Sequence, residues 1–529
     1  MIFLYVINLL SLGVIMAVRY VDLLHILQLE KYQFKRLMGW FIDHLRDRRM
    51  LIPFLLSLVQ FLLLAWFGHT LWGLLLHLML NGFYLPFLIR RPPKKVPLVY
   101  TNRIKRLLLA SVAVKGLFYV LTRLIADRLY DEWQLLLVWL AVIHFLQIDL
   151  LFFSFYIMWP IEKAIALSFI RRAKKKLQAI SPQVIGITGS YGKTSTKAII
   201  QQLLKQRYFV CATPASYNTP LGIARTINER LRKFDQIFIC EMGATKLGDI
   251  HELAQFVRPR IGIITAIGPQ HLDTFQNMQT IIRTKFELIE GLPEDGIAIL
   301  NYDNRFIKGY KLKESLHVIT YGITEEGVNY RATNIHYGHE GSRFEVVLPD
   351  RSVYAFRTKL LGLHNIYNIL AGIALAHVMK VPIRHIQQQV ERLEPVPHRL
   401  ELKPYERYTI IDDSFNSNRE GFQYALDVLN QFPGKKAIIT PGLIELGDQH
   451  YAINYRLGTQ MARICDLVVL IGKKQTKPIY DGLVEAGFSI GRIVVTNCFQ
   501  NGFREVFNRL YEGFTLLIEN DLPDQYTEE

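Results

Sequence analysis

A chain of 529 residues has room for two or three domains, each with a core of its own. Half of its residues are hydrophobic and its mean hydropathy is +0.16, high for a wholly water-soluble protein, so bilayer-crossing segments are the first thing to look for. The formal charge of +16 is local: residues 1–183 hold 23 of the 62 Lys and Arg but only 9 of the 46 Asp and Glu, leaving 39 against 37 elsewhere, which speaks for membrane orientation and against nucleic acid.

Apolar runs at 1–18, 51–67, 71–89, 107–125 and 134–159 predict about five spans in a helical region covering residues 1–160. The first run lacks a basic n-region and a small-residue cleavage site, so it reads as an uncleaved anchor. Segment 19–45 between the first two is amphipathic. The basic clusters Arg46/Arg48/Arg49, Arg90/Arg91/Lys94/Lys95 and Arg171/Arg172/Lys174/Lys175/Lys176 fall in alternate connections, whereas the loops near His69 and Asp127–Glu132 carry little positive charge. The positive-inside rule then predicts a multi-pass protein of the cytoplasmic membrane with everything after residue 160 in the cytoplasm. Lys115 and Arg123 lie within the fourth run, where a charge either lines a polar path or snorkels to the interface. Residues 161–180 read as a basic cytoplasmic linker.

From residue 181 the pattern changes to short apolar strands alternating with amphipathic helices, as in QIFICEMG, RIGIITAIG, GIAILNYD, KAIITPG, DLVVLIG and RIVVTN. That predicts parallel-sheet α/β domains, with polar period-two strands at 317–360 forming a small antiparallel insert. The proline-bearing LEPVPHRL at 393–400 reads as a hinge between a central domain, 181–395, and a Rossmann-like C-terminal α/β domain, 396–529. The four cysteines form no Cys-x-x-Cys and read as free thiols in a reducing compartment.

The central domain opens on VIGI followed by Thr188-Gly189-Ser190-Tyr191-Gly192-Lys193-Thr194-Ser195 and a helical KAIIQQLLKQ. Strand, glycine turn, Lys-Thr and helix make a phosphate cradle: backbone N–H groups and the helix N-terminus face the anion, the lysine meets the outer phosphates and the threonine hydroxyl reaches Mg²⁺. Gly189 stands three residues before Gly192, where the common P-loop spacing is five. The strand IFIC delivers Glu241 at its end, as P-loop enzymes do to hold a metal ion, although many such carboxylates are solvated strand ends. The strand IGIITAIG leads to His271, a metal or phosphate contact or a satisfied structural histidine. Lys285 follows on a helical stretch where spacing alone suggests a solvent-facing side chain.

Taken together, GITGSYGKTSTK, SYNTPLG, EMGA, GPQHLDTF, RTKFELIEGLP, LNYDN, GLHNIYNILAG, PHRLEL, DDSFNSN and PGLIELG resemble, in type, order and spacing, the Mur ligase family over residues ~181–515, and most of all its dipeptide-adding F-type branch. The short glycine spacing is that family's form. The resemblance implies an ATP-dependent ligase that activates a carboxylate as an acyl phosphate and joins it to an amine, adding D-alanyl-D-alanine to a muramoyl peptide in peptidoglycan precursor synthesis. It also implies two Mg²⁺ ions and partners among other cell-wall synthesis proteins. Lys193 would meet the β- and γ-phosphates; Thr194 and Glu241 would hold one Mg²⁺ and His271 the second. Lys285 would be carbamylated into an anionic metal ligand. Asn365 and Asn368 would lie on the adenine side, Arg399 would reach the phosphates from the hinge, and Asp413 would approach the ribose. Asn218 and Thr219 would face the carboxyl substrate, and Asn416 and Asn418 the incoming dipeptide. The membrane third stands where soluble members grip a nucleotide sugar, Arg419 replaces a proline, and ENDLPDQY replaces a Lys-Gly-Ser-Arg ending. A Mur-like ligase for another cell-surface peptide or polymer is therefore the alternative. An ABC-type LSGGQ motif is absent, which leaves little for a P-loop-driven transporter.

Overall fold

The computed structural model describes residues 1–30, 32–44, 48–89, 97–126, 132–269, 272–415, 417–444 and 446–520, and the chain divides into two compact units, Met1–Leu167 and Ser168–Glu529. The first unit is all helix: Ile2–Leu29, Phe34–His44, Arg48–Phe67, Leu71–Ile89, Asn102–Ala126, Glu132–Phe145 and the start of Gln147–Ile180. Its helices are apolar on both faces. Leu12, Leu24, Leu64, Leu74 and Leu137 fill the interior, while Trp66, Trp72, Phe83, Leu109 and Leu124 are each more than 70% exposed on the outside. Such helices suit a medium as apolar as their own core.

Three of them, Ile2–Leu29, Asn102–Leu124 and Gln147–Ile180, are long and apolar enough to cross a membrane, against the five spans expected from the sequence. The second and third apolar runs form helices whose apolar stretches, Phe54–Phe67 and Leu71–Leu85, are shorter than a bilayer requires. The fifth run breaks at Leu146, beside buried Gln147, whose amide donates to the Met16 carbonyl. The first helix also runs on to Leu29, into the segment read as amphipathic, the rest of which holds the helix Phe34–His44. Residues 161–180, read as a linker, are helical, since Lys and Arg are good helix formers, and Ala173 and Leu177 join the core of the second unit. Arg46, Arg90, Arg91, Lys94 and Lys95 lie outside the described residues.

The second unit holds two sheets. The strands of the first are β1 (Gln183–Thr188), β2 (Val210–Ala212), β3 (Ile237–Glu241), β4 (Ile261–Ile264), β5 (Ile297–Asn301), β6 (His317–Gly322), β7 (Tyr330–Gly338), β8 (Gly341–Val347) and β9 (Val353–Thr358). Their order is β2-β3-β1-β4-β5-β6-β7-β8-β9. The sheet is parallel up to β7, and β3 and β4 are buried at every position, as strands covered on both faces must be. The expected antiparallel insert is β7–β9, hydrogen-bonded onto the main sheet rather than standing apart. The second sheet comprises β10 (Glu401–Pro404), β11 (Tyr408–Asp413), β12 (Lys435–Thr440), β13 (Leu467–Ile471), β14 (Ile493–Thr496) and β15 (Phe514–Glu519), in the order β10-β11-β15-β12-β13-β14, with only β10 antiparallel. Between the sheets, His398 and Leu400 take positive φ in the proline-bearing segment read as a hinge.

Candidate functional site

In an open parallel sheet, ligands bind beyond the carboxyl ends of the strands. Here β1 lies between β3 and β4, so the P-loop leaves the sheet with Glu241 on one side and Thr265 on the other. Gly189 and Gly192 sit at φ 151° and 79°, and a Cβ on Gly192 would lie 2.5 Å from Asn368 Oδ1. The turn therefore needs glycine at 192 for both conformation and space. Ser190 Oγ donates to the Gly268 carbonyl at 2.9 Å and accepts from Gly268 N–H at 3.1 Å, Tyr191 donates to the Pro269 carbonyl at 3.1 Å, and the Thr265 hydroxyl donates to the Tyr191 carbonyl. The loop is thus clamped to the strand end beside it. Lys193, Thr194 and Ser195 form the first turn of the helix Lys193–Leu204, whose free N–H groups attract an anion.

Lys193 Nζ donates to the loop carbonyls of Gly189 and Ser190, at 2.6 and 3.0 Å. Burial lowers its pKa to about 8, with Arg399 adding to the fall and Glu241 opposing it. Glu241 is 1% exposed; its carboxylate accepts from Lys197 Nζ at 2.8 Å and from Asn218 Nδ2 at 3.3 Å. Lys285 is 3% exposed, a correction to the solvent-facing position that spacing alone suggests. It lies 5.9 Å from the Phe275 ring centroid, and burial takes its pKa down to about 7, with Lys193 pushing the same way and Asp249 and Glu287 opposing. Lys193, Lys197 and Arg399 all act on the Glu241 carboxylate, and Lys285 lies within the field of Lys193, a positive cluster suited to a polyphosphate.

The second sheet contributes from across the hinge. Arg399 is stacked 4.5 Å over Phe415, and burial lowers its pKa while Asp413 and Glu241 hold it up. Asp413 ends β11 and accepts the Leu400 N–H at 3.1 Å; burial raises it to about 6, beside Glu519 at the end of β15. Asn368 Oδ1 accepts from Thr196 Oγ1 at 3.0 Å, and its amide donates to Asn365 Oδ1 at 3.4 Å, so both asparagines stand against the P-loop helix. Tyr191 faces Glu420 on the helix Arg419–Asn430, a contact from the P-loop to the C-terminal domain.

Not every expected residue joins this cluster. Thr219 and Asn418 serve as helix N-caps, accepting from Gly222 and Gly421 N–H at 3.3 and 2.9 Å. His271 and Asn416 lie outside the described residues. The sequence reading missed Lys197 as the partner of Glu241, although it lies one helical turn after Lys193 on the same face. It also missed Thr265 and Glu519. Among the described residues one triad has metal-ligand geometry, His398, Glu401 and Asp412, but Lys403 Nζ already sits 2.6 Å from Asp412 and 3.1 Å from Glu401.

A P-loop at the carboxyl edge of a parallel sheet, facing a second α/β domain through a hinge arginine, defines a two-domain nucleotide-handling enzyme. Residues 187–376 match the Mur ligase middle domain. The chain is 30% identical over 317 residues to the UDP-N-acetylmuramoyl-tripeptide--D-alanyl-D-alanine ligase of Escherichia coli, covering 59% of this chain and 70% of that one. The Bacillus subtilis ligase of the same name is 30% identical, covering 52% and 59%. The chain belongs to the Mur ligase family. It spans 66% of the Haemophilus influenzae relative and 63% of a Buchnera one, so it matches only about two thirds of such enzymes. In fold it is similar to the MurF ligase of Thermotoga maritima solved in complex with ADP, at TM-score 0.60 and 24% identity over 67% of this chain and 80% of that one. A pseudomurein peptide ligase from Methanothermus fervidus superposes at 0.52, with 17% identity over 66% and 78%.

Proposed function

We propose that the protein is an ATP-dependent, ADP-forming ligase that joins the carboxylate of a muramoyl tripeptide to the amine of D-alanyl-D-alanine, held at a membrane by its helical unit with the ligase unit in the cytoplasm. The observation that carries this reading is the gathering of Lys193, Lys197 and Arg399 around Glu241 at the mouth of the P-loop, with the buried Lys285 beside Lys193. A carboxylate is a poor electrophile. Its oxygen attacks the γ-phosphorus of ATP, the bond to the β-phosphate oxygen breaks, and ADP leaves an acyl phosphate behind. The amine nitrogen then attacks the acyl carbon, phosphate departs, and the nitrogen loses a proton to give the amide. Lys193 and Arg399 stabilise the charge that builds on the transferring group, and Arg399 does so only when the C-terminal domain is closed.

Glu241 and Thr194, with His271 and a carbamylated Lys285, would hold two Mg²⁺ ions. The fit is chemical: the buried Glu241 carboxylate is met by the side chains of Lys197 and Asn218 among the described residues, and Lys285 is a buried amine whose low pKa suits carbamate formation. Bound there, the ions would screen the phosphoryl oxygens. ADP release should require both UDP-muramoyl-tripeptide and D-alanyl-D-alanine, and Lys193→Ala should cut it roughly 10²-fold or more. Near-normal turnover in that variant would sink the assignment. A second reading, ligation onto another cell-surface peptide or polymer, draws on the helical unit Met1–Leu167, which lies outside the matched ligase domain and supplies apolar helices at the chain position where a nucleotide sugar would be gripped. Turnover with a polymeric acceptor alone would favour it.

A further inference from the structure

Within the helical unit, polar side chains form a stripe. Asn8 and Arg19 face inward from Ile2–Leu29, and His77, Asn81 and Tyr84 do so from Leu71–Ile89. One part of the stripe is largely paired: His77 Nδ1 meets Asn8 Oδ1 at 2.6 Å, Asn81 Nδ2 donates to Ser11 Oγ at 2.8 Å, and Gln60 Nε2 donates to Asn81 Oδ1 at 2.6 Å, leaving His77 Nε2 and Gln60 Oε1 without a partner in this group. The other part is not. Arg19 Nη1, the Tyr84 hydroxyl and both ring nitrogens of His144 have no hydrogen-bond partner. These side chains are 6%, 0% and 0% exposed. The Tyr84 and His144 rings lie 6.2 Å apart, and each has Arg19 as a charged neighbour.

Arg19 forms no ion pair among the described residues. Lys115 Nζ lies 3.9 Å over the ring of Tyr20, a cation held on an aromatic face. A guanidinium buried among leucines is strongly unfavourable unless an anion and acceptor oxygens meet it, and ionisable groups at membrane depth mark ligand sites. A guanidinium, a phenol and an imidazole together supply several N–H and O–H donors around one fixed positive charge. Their complement is a compact anion with several oxygens. The outer faces of the same helices are apolar, so a ligand reaching the site from the bilayer must carry an apolar tail.

We propose that Arg19, Tyr84 and His144 form an interior binding site for an oxygen-rich anionic group, a phosphate or carboxylate, borne by an amphiphile. This rests on the reading that the helical unit lies in a membrane. The test uses the full chain in detergent micelles, titrated with lysophosphatidic acid, with lysophosphatidylcholine of the same tail, and with inorganic phosphate, following thermal unfolding and binding. Lysophosphatidic acid should bind saturably, and Arg19→Gln and Tyr84→Phe should each weaken it tenfold or more. Without ligand, Tyr84→Phe should unfold no earlier than the parent, because it deletes a buried hydroxyl that nothing in the protein meets. Equal binding of the two lipids, equal affinity in the variants, or early unfolding of Tyr84→Phe would each overturn the site. Inorganic phosphate binding with the same Arg19 dependence supports it and shows that the head group suffices. The two readings fail separately: a chain that leaves the membrane pellet at high salt sinks the membrane reading, whereas a chain that stays there but ignores the anion sinks the site.

Discussion

An amine with a pKa near 7 is half neutral at neutral pH, and the neutral amine is the form that adds CO₂: nitrogen attacks carbon, a proton leaves, and a cation becomes a carbamate anion. Burial puts Lys285 in that state. Its placement was legible in principle, because Ile281, Lys285 and Leu288 share the buried face of Met278–Glu290, and only the expectation that lysines face water hid it. The Lys197–Glu241 pair was not legible, since it joins positions 44 apart that only the β1–β3 crossover brings together. The pH dependence follows from linkage. The unfolded chain keeps the Lys285 proton up to about 10.5 and the folded one releases it near 7, so between those values the unfolded state binds more protons and stability rises with pH. In CO₂-depleted buffer the melting temperature should climb across that window less steeply in Lys285→Met than in the parent. Lys285→Ala should lower kcat roughly 10²-fold, with partial recovery in added acetate. A variant as active as the parent would remove the carbamate role.

Caps show how one residue answers to its element before its ligand. Asn418 opens the helix Arg419–Asn430 with its side-chain oxygen on the Gly421 N–H, which leaves its amide nitrogen for anything the C-terminal domain receives. The two duties separate by substitution. Asn418→Ala should cost about 1 kcal/mol of stability through the lost cap, whereas Asn418→Ser should retain most of it. If the amide also meets the incoming amine substrate, Asn418→Ser raises KM for that substrate at unchanged stability. An unchanged KM would confine Asn418 to capping. Urea unfolding and steady-state kinetics on the two variants decide it. At this scale the sequence was most readable where period and chemistry agree: the fully buried β3 and β4 and the glycine turn after β1 stand where their patterns predict. It was least readable in β6, whose register pairs it in parallel with β5 although its polar pattern suggests the antiparallel insert.

The charge asymmetry of the whole molecule makes its orientation testable with groups it already carries. All four cysteines lie in the second unit, and three of them, Cys211, Cys240 and Cys465, are buried, with burial raising each thiol's pKa, that of Cys211 to about 11. Thiols that neither ionise nor meet solvent react slowly. Cys498 is the partly exposed one, between β14 and the helix Phe499–Leu510. Three helices among the described residues are long and apolar enough to cross a membrane where the hydropathy pattern suggests about five spans, but the orientation argument depends on the cationic surplus and not on the count. On the proposed orientation Cys498 lies on the cytoplasmic side, where ATP is. A membrane-impermeant maleimide should therefore leave the protein unlabelled in intact spheroplasts and label it in inverted vesicles, and Cys498→Ser should abolish the labelling in vesicles. Labelling in intact spheroplasts would put the ligase unit on the side of the membrane without ATP and overturn both the orientation and the function built on it.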